Sequence, residues 1–346
     1  MTGNRISPRS AFAAVLLLSC LPAVLYAFDT EREDVSAFIS RLVNDHGFEA
    51  DYVRTVIDAS QSQQKILAAI SRPAERTKAW HEYRDIFITP KRISAGLEFW
   101  AEHGARLERI SGETGVPAEI IAAIVGVETF YGRITGNYRV VDALATLAFD
   151  YPPRSRFFGS ELEQFFLLVR EEALDLTAVT GSYAGAMGPP QFIPSSYRAY
   201  AVDGDGDGRR DLLGNWDDIL TSVANYFVAH KWQPGQPVVT AGSLIDQGSA
   251  PNSGNSLKLS ETIDSLTARG IRFETDLDGS APAQLFSLEG EGGQEYWVGF
   301  HNFYVITRYN RSVMYALAVY QLGESILEAA PAGGAAADAV AHRLNQ

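Results

Sequence analysis

Residues 120–132 read IIAAIVGVETFYG, and the fold turns on where this stretch is placed. Ile120, Ile121, Ile124, Val125 and Val127 leave a helix with no polar face, so it is expected to run through the centre of a domain. Val116-Pro117 sets its start, with proline at a first helical position. Glu128 arrives after about two turns of hydrocarbon, flanked by Val127 and Phe130. Burying a carboxylate there is costly, so the expectation is a group that keeps its proton to higher pH. Such an acid suits the protonation of a leaving oxygen. The alternative is a glutamate turned outward at the helix end to pair with Arg133 or Arg139.

Towards the C-terminus, residues 181–197 read GSYAGAMGPPQFIPSSY. So many small residues let the backbone approach another helix or a ligand closely. Ser182, Gln191, Ser195 and Tyr197 add neutral donors and acceptors, a composition that suits a sugar. A tight turn supporting the core is the competing reading. Beyond it, Asp203-Gly-Asp-Gly-Asp-Gly208 supplies oxygen ligands at positions 1, 3 and 5 of an EF-hand loop and glycine at 6. Arg209 offers its carbonyl at position 7, Asp211 falls at 9, and Gly214 replaces the usual glutamate at 12. Asp217 or Asp218 would close the set. Acids this dense repel one another unless a cation sits among them, so a structural Ca2+ is expected rather than a solvated acidic turn.

Around these segments the periodicity is mostly helical. Val35, Phe38, Ile39 and Leu42 form one stripe ended by Gly47, and Tyr52, Val53, Val56 and Ile57 suggest another short helix. Pro90 opens a helix through Leu97, Trp100 and Leu107. Ser160 and Glu163 read as a capping box ahead of Leu162, Phe165, Phe166 and Val169. After residue 233 prolines and glycines punctuate the chain, Gly248–Ser256 is Gly/Ser/Asn-rich, and short strand-like runs extend to Phe300. Helix resumes near Ser312, and an Ala/Gly-rich tail, expected to be frayed, follows Ala329. The class predicted is mainly α (α+β). Its parts are helices over 28–110 with 312–328 packing back, a core over 111–236, a small β-rich insertion over 237–300, and a final segment over 301–328.

The first 27 residues carry Arg5 and Arg9, an apolar run from Ala11 to Ala27, and no acid before Asp29, the pattern of a secretory signal. Its removal would take away Cys20, the only cysteine, and leave a chain without disulfides. A lipid anchor on Cys20, through Leu17-Leu18-Ser19-Cys20, is the lesser reading. A net charge of -13 argues against a general nucleic-acid binder.

Four motifs in one order, AAIVGVETFYGRITGNYRVVDALATLAFDYP, GSYAGAMGPPQFIPSSY, SVANYF and NFYVITRYN, resemble the lytic murein transglycosylase B family (glycoside hydrolase family 103). The resemblance runs from about Tyr83 to Leu322 and implies a lysozyme-like core with an added helical domain and a small β-containing one. It implies that Glu128 is the sole acid/base, cleaving between N-acetylmuramic acid and N-acetylglucosamine to leave a 1,6-anhydromuramyl end. Tyr83, Arg154, Ser182, Gln191, Tyr226, Tyr304 and Tyr309 would bind the glycan, the last two close to the acid. Asp203, Asp205, Asp207, Arg209, Asp211 and Asp218 would hold calcium, in a loop of extended EF-hand-like length. No organic cofactor is implied. The protein would be a monomer of the periplasm or envelope, acting on peptidoglycan strands and open to partners from cell-wall synthesis or remodelling. Two positions depart from the family's pattern: Pro153 stands where Arg is common, and Pro189 where Gly-x-Gly precedes the glutamine. A hydrolytic muramidase and a non-catalytic peptidoglycan-binding scaffold are the rival functions.

Overall fold

Two short extended pieces tie down the start of the chain in the computed structural model, which describes residues 26–71, 77–246 and 255–330. Residues 1–25 of the expected leader with Cys20, most of the Gly/Ser/Asn-rich stretch, and the tail beyond Ala330 lie outside the described residues. β1 (Tyr26–Ala27) pairs antiparallel with β2 (Gln61–Ser62), and α1 (Glu33–His46) and α2 (Ala50–Asp58) lie between them. Val35, Phe38, Ile39 and Leu42 are the buried stripe of α1, as the spacing predicts, and Gly47 ends it at φ 67°.

α3 (Gln64–Ile70), α4 (Trp80–Phe87) and the long α5 (Pro90–Thr114) follow. Pro90 opens α5, and the Thr89 hydroxyl accepts from the Arg92 N–H as its cap. Gly115, at φ 69°, ends α5 and lets α6 (Ala118–Thr129) leave at a bend of 119°. Proline 117 is the residue before the helix rather than its first. Every residue of α6 is buried except Glu128. Each isoleucine or valine so buried contributes roughly 1.5–3 kcal/mol, which fixes α6 as the central helix.

β3 (Tyr138–Arg139), α7 (Val140–Phe149), α8 (Ser155–Glu171), β4 (Thr180–Gly181), α9 (Pro194–Tyr200) and α10 (Trp216–Ala229) complete the core. The capping box expected at Ser160 and Glu163 is not there. Pro152 and Pro153, with φ preset by their rings, start a 3-10 turn that runs straight into α8 at Ser155. Ser160 is therefore exposed in mid-helix, and Glu163 pairs instead with Arg41 and His46.

The insertion is a five-stranded antiparallel sheet in the order β6-β8-β9-β5-β7. Its elements are β5 (Val239–Leu244), β6 (Glu261–Thr262), α11 (Ile263–Ala268), β7 (Ile271–Arg272), β8 (Pro282–Gly290) and β9 (Gly293–Gly299). α11 is too short for its period to show in sequence; Thr262 and Ser265 cap it reciprocally. On β8, Leu285 faces the sheet's own small core with Leu266, Ile271 and Val298, whereas Phe286 and Leu288 face the main core. Alternation along one strand thus joins the sheet to the helices.

α12 (His301–Tyr309) and α13 (Val313–Ala329) end the described chain. α13 lies against α4, α5 and α6. At Gly323 a Cβ would come within 3.1 Å of the Glu119 carbonyl oxygen, so the small residue sets how closely α13 meets α6. The helices of residues 28–110 split between two partners. α1 packs on α7 and α8 through Phe38, 6.0 Å from Phe166, while α4 and α5 belong with α6 and α13. The mainly α, α+β class expected from the sequence is what the structure shows. Among the described residues no single helix is long and apolar enough to cross a bilayer.

Candidate active site

The last turn of α6 is built to stop the helix and point one acid outwards. Phe130 and Tyr131 take left-handed backbone at φ 53° and 59°, and Gly132 continues at 78°. Two consecutive non-glycine residues there carry strain of order 1–3 kcal/mol each. Their N–H groups close the helix by donating to the Gly126 and Val125 carbonyls. The Tyr131 ring then tucks back beneath α6. A Cβ on Gly126 would lie 2.7 Å from that ring, and one on Gly96 2.6 Å from its hydroxyl. Arg92 supports the same turn: its guanidinium donates to the Gly126 carbonyl and lies 4.9 Å over the Phe130 ring. Burial pushes the Arg92 pKa down.

Glu128 is half-exposed at this end. The Tyr315 hydroxyl donates to its Oε1 at 2.5 Å. Burial first, and then the Glu128 charge, hold the Tyr315 phenol well above its ordinary value, so it stays a donor. Tyr309 is raised for the same two reasons in the same order. Tyr309 donates to the Pro190 carbonyl at 2.6 Å and packs on Tyr226 at 4.8 Å between centroids. Tyr226 donates to the Arg308 carbonyl at 2.6 Å and stacks on His230 at 4.2 Å. Its phenol is pushed up to about 12, chiefly by burial.

The Gly/Pro-rich segment forms the facing wall. Thr129, next to Glu128, donates its hydroxyl to the Pro189 carbonyl at 2.9 Å, so both prolines of this loop have their carbonyls held. The Gly188-Pro189-Pro190 stretch, where the family's pattern is broken, is therefore anchored through both proline carbonyls. Gln191 sits at φ 52° with its amide donating to the Thr135 and Gly188 carbonyls at 3.1 and 3.0 Å. Ser182 accepts from the Ala184 and Ala186 N–H groups at 3.3 and 3.1 Å. Glu161, buried under this wall, accepts from the Ser195 N–H and hydroxyl at 2.9 and 2.7 Å, and burial raises its pKa.

Tyr83 is buried between Trp80 and Phe87, near enough to Tyr315 to act on its phenol electrostatically. Arg154 is exposed on its 3-10 turn, 4.4 Å over the Phe157 ring. Tyr304 does not share the wall of Tyr309. Five residues along a helix turn a side chain by about 140°, so both cannot face one acid. Tyr304 instead lines a pocket with His301 and Arg308. Tyr315 and Arg92 were missed in the sequence. Tyr315 carried a signal, being a phenol set among Met314, Leu317 and Ala318; Arg92 carried none.

In the acidic loop, carboxylate oxygens of Asp203, Asp205 and Asp218 lie within 4.8 Å of one another. Asp203 also accepts from Gly206, Asp207 and Gly208 N–H groups, and Asp218 from Gly204 and Asp211, which fold the loop inwards. Asp218 is fully buried, so it, rather than Asp217, closes the loop. Asp217 pairs outward with Arg106 and Arg109 of α5. Asp211 is occupied as a turn cap, accepting from Leu213 and Gly214, and Asp207 from Arg209. The donor set, hard oxygens converging from 203, 205 and 218, fits a calcium ion.

Comparison with known proteins identifies the family. A family model described as a transglycosylase SLT domain matches residues 30–324. The chain is similar to the membrane-bound lytic murein transglycosylase B of Escherichia coli (strain K12), 42% identical over 300 residues covering 84% of this chain and 81% of that protein. It is similar in structure to SltB1 of Pseudomonas aeruginosa, solved as a catenated lytic transglycosylase (TM-score 0.82, 50% identity, covering 86% of this chain and 98% of that one). A structure of the Escherichia coli lytic transglycosylase Slt35 in complex with calcium matches with TM-score 0.79 and 38% identity, covering 88% of this chain and 96% of that one.

Proposed function

The chain belongs to the transglycosylase SLT-domain family and is a lysozyme-like lytic murein transglycosylase acting on peptidoglycan, and on that premise we propose that Glu128 is its single acid/base. The observation that carries this reading is the pairing of Glu128, the one unburied residue of α6, with the Tyr315 hydroxyl at 2.5 Å. Tyr315 donates to Oε1 and so orients the carboxyl.

Glu128 first gives its proton to the oxygen joining N-acetylmuramic acid to N-acetylglucosamine, and the bond from that oxygen to the muramyl anomeric carbon breaks. The muramyl C6 hydroxyl then attacks the same carbon and returns its proton to Glu128. One bond breaks and one forms, no water is consumed, and the product ends in a 1,6-anhydromuramyl group. Two of the groups placed against Glu128, Tyr315 and Tyr309, are phenols. That suits a route in which the substrate's own N-acetyl group stabilises the cation. The Tyr309–Tyr226–His230 stack supplies ring faces for sugars, and Ser182 and Gln191 line the opposite wall.

The loop of Asp203, Asp205 and Asp218 is assigned a structural calcium, since it joins α9 to α10 away from the acid. The leader of residues 1–27 supports export to the periplasm or envelope, where peptidoglycan lies.

Mass spectrometry of sacculi digested by the purified protein tests the mechanism. Fragments lighter by one water than reducing ends, lost in Glu128→Gln, are the expected result. Reducing ends would make the enzyme a hydrolytic muramidase, and intact sacculi with bound protein would make it a scaffold.

A further inference from the structure

Along α12 from the acid lies a pocket of about 390 Å³. Leu257, Pro282 and the Tyr304 ring wall it, and Lys258, Arg308 and Arg311 bring three cations to it. Among the described residues no acidic one lines it, in a chain with 42 acids against 29 bases. Several arginines elsewhere are matched by carboxylates, as Arg106 and Arg109 are by Asp217 and Arg210 is by Glu172. Among the described residues Lys258, Arg308 and Arg311 have no such partner. Three like charges around one concavity repel one another until an anion enters, and guanidinium and ammonium groups bind carboxylates with charge-assisted hydrogen bonds.

The pocket adjoins the cleft. Arg308 accepts the Tyr226 hydroxyl at its carbonyl, and its positive charge acts on Tyr226 and His230 of the aromatic wall. Tyr309, beside Glu128, is its neighbour in the chain. We propose that this pocket binds the free carboxylates of the peptide stem hanging from the peptidoglycan strand in the cleft; this rests on the substrate assigned above. The reach is sufficient. α12 spans 9 residues, about 13 Å at 1.5 Å each, and an extended stem of four or five residues spans roughly 13–18 Å. Leu257, Pro282 and the ring of Tyr304 give the stem's alkyl portions an apolar surface.

The test is calorimetric titration of the full chain with an acidic tetrapeptide stem released from peptidoglycan. Lys258 and Arg311 are exposed, so Lys258→Gln/Arg311→Gln is expected to fold with an unchanged melting temperature. Its affinity for the peptide is expected to fall about fivefold, the scale of two exposed ion pairs. Amidating the peptide's carboxylates is expected to lower its affinity for the unmodified protein similarly. Equal affinity of protein and variant, or no binding by the unmodified protein, overturns the proposal. So does inorganic phosphate binding there with no competition from the peptide, which would assign the pocket to a phosphate ligand. The titration needs no turnover, so its answer stands apart from whether Glu128 proves to be the acid.

Discussion

A phenol 2.5 Å from one carboxylate oxygen holds the acid in place through that oxygen. A hydrogen bond to a charged group is worth about 1.5–3 kcal/mol, so Tyr315→Phe is expected to lower kcat roughly 10- to 100-fold with little change in KM, read by steady-state turnover of soluble glycan strands. The sign of its pH dependence follows from the raised phenol. A folded-state pKa above the ordinary 10.0 means the neutral hydroxyl's contribution to stability is fully present below pH 10.0 and is lost as pH rises beyond it. The activity deficit of Tyr315→Phe should therefore be constant up to pH 10, and a deficit that disappears at lower alkaline pH would contradict the assignment. At this scale the sequence was partly legible. Glu128 stood out as an acid after two turns of hydrocarbon, although an outward pairing with Arg133 or Arg139 read almost as well, and Tyr315 comes from a helix that reads as ordinary core.

Elements show why the acid sits still. α6 cannot continue past Thr129, because Phe130 and Tyr131 adopt left-handed backbone and the Tyr131 ring fills the space left by Gly96 and Gly126. Gly126→Ala is expected to cost about 1–3 kcal/mol by overpacking against that ring, measured by chemical denaturation, and to lower activity by more than the loss of folded protein explains. A substitution without effect on either would mean the ring is free to move away. The stripes of α1 and α5 and the start of α5 at Pro90 were readable, since periodicity and proline act locally. The start of α8 was not. Two legitimate signals, Ser160 with Glu163 and Pro152 with Pro153, competed, and the tertiary pairing of Glu163 with Arg41 and His46 favoured the prolines. α11 was too short to show a period at all.

Over the whole molecule, one acidic loop sits between α9, which follows the glycan wall, and α10, which carries Tyr226. Asp217, immediately before the loop-closing Asp218, pairs with Arg106 and Arg109 and so ties the loop to α5. Excess chelator is expected to lower the melting temperature of the calcium-loaded protein. At free calcium 100-fold above Kd the ion supplies about 2.7 kcal/mol, and Asp218→Asn should abolish most of that difference. An unchanged melting temperature with no metal detected in the purified protein would remove calcium from the account. The ligand spacing of this loop was legible because it is local. Its closure was ambiguous between Asp217 and Asp218, since only the fold decides which of two adjacent acids turns inwards.

The hydrogen bond between Tyr315 and Glu128 joins residues 187 positions apart, and the Pro190 carbonyl is held by Tyr309 from 119 positions away. A ribosome delivers the chain from its N-terminus, so the acid emerges long before the two phenols that complete its surroundings. A growing or truncated chain ending before α12 has Glu128 but no site. On the proposed reading, the surroundings of the acid are therefore among the last parts of the protein to form.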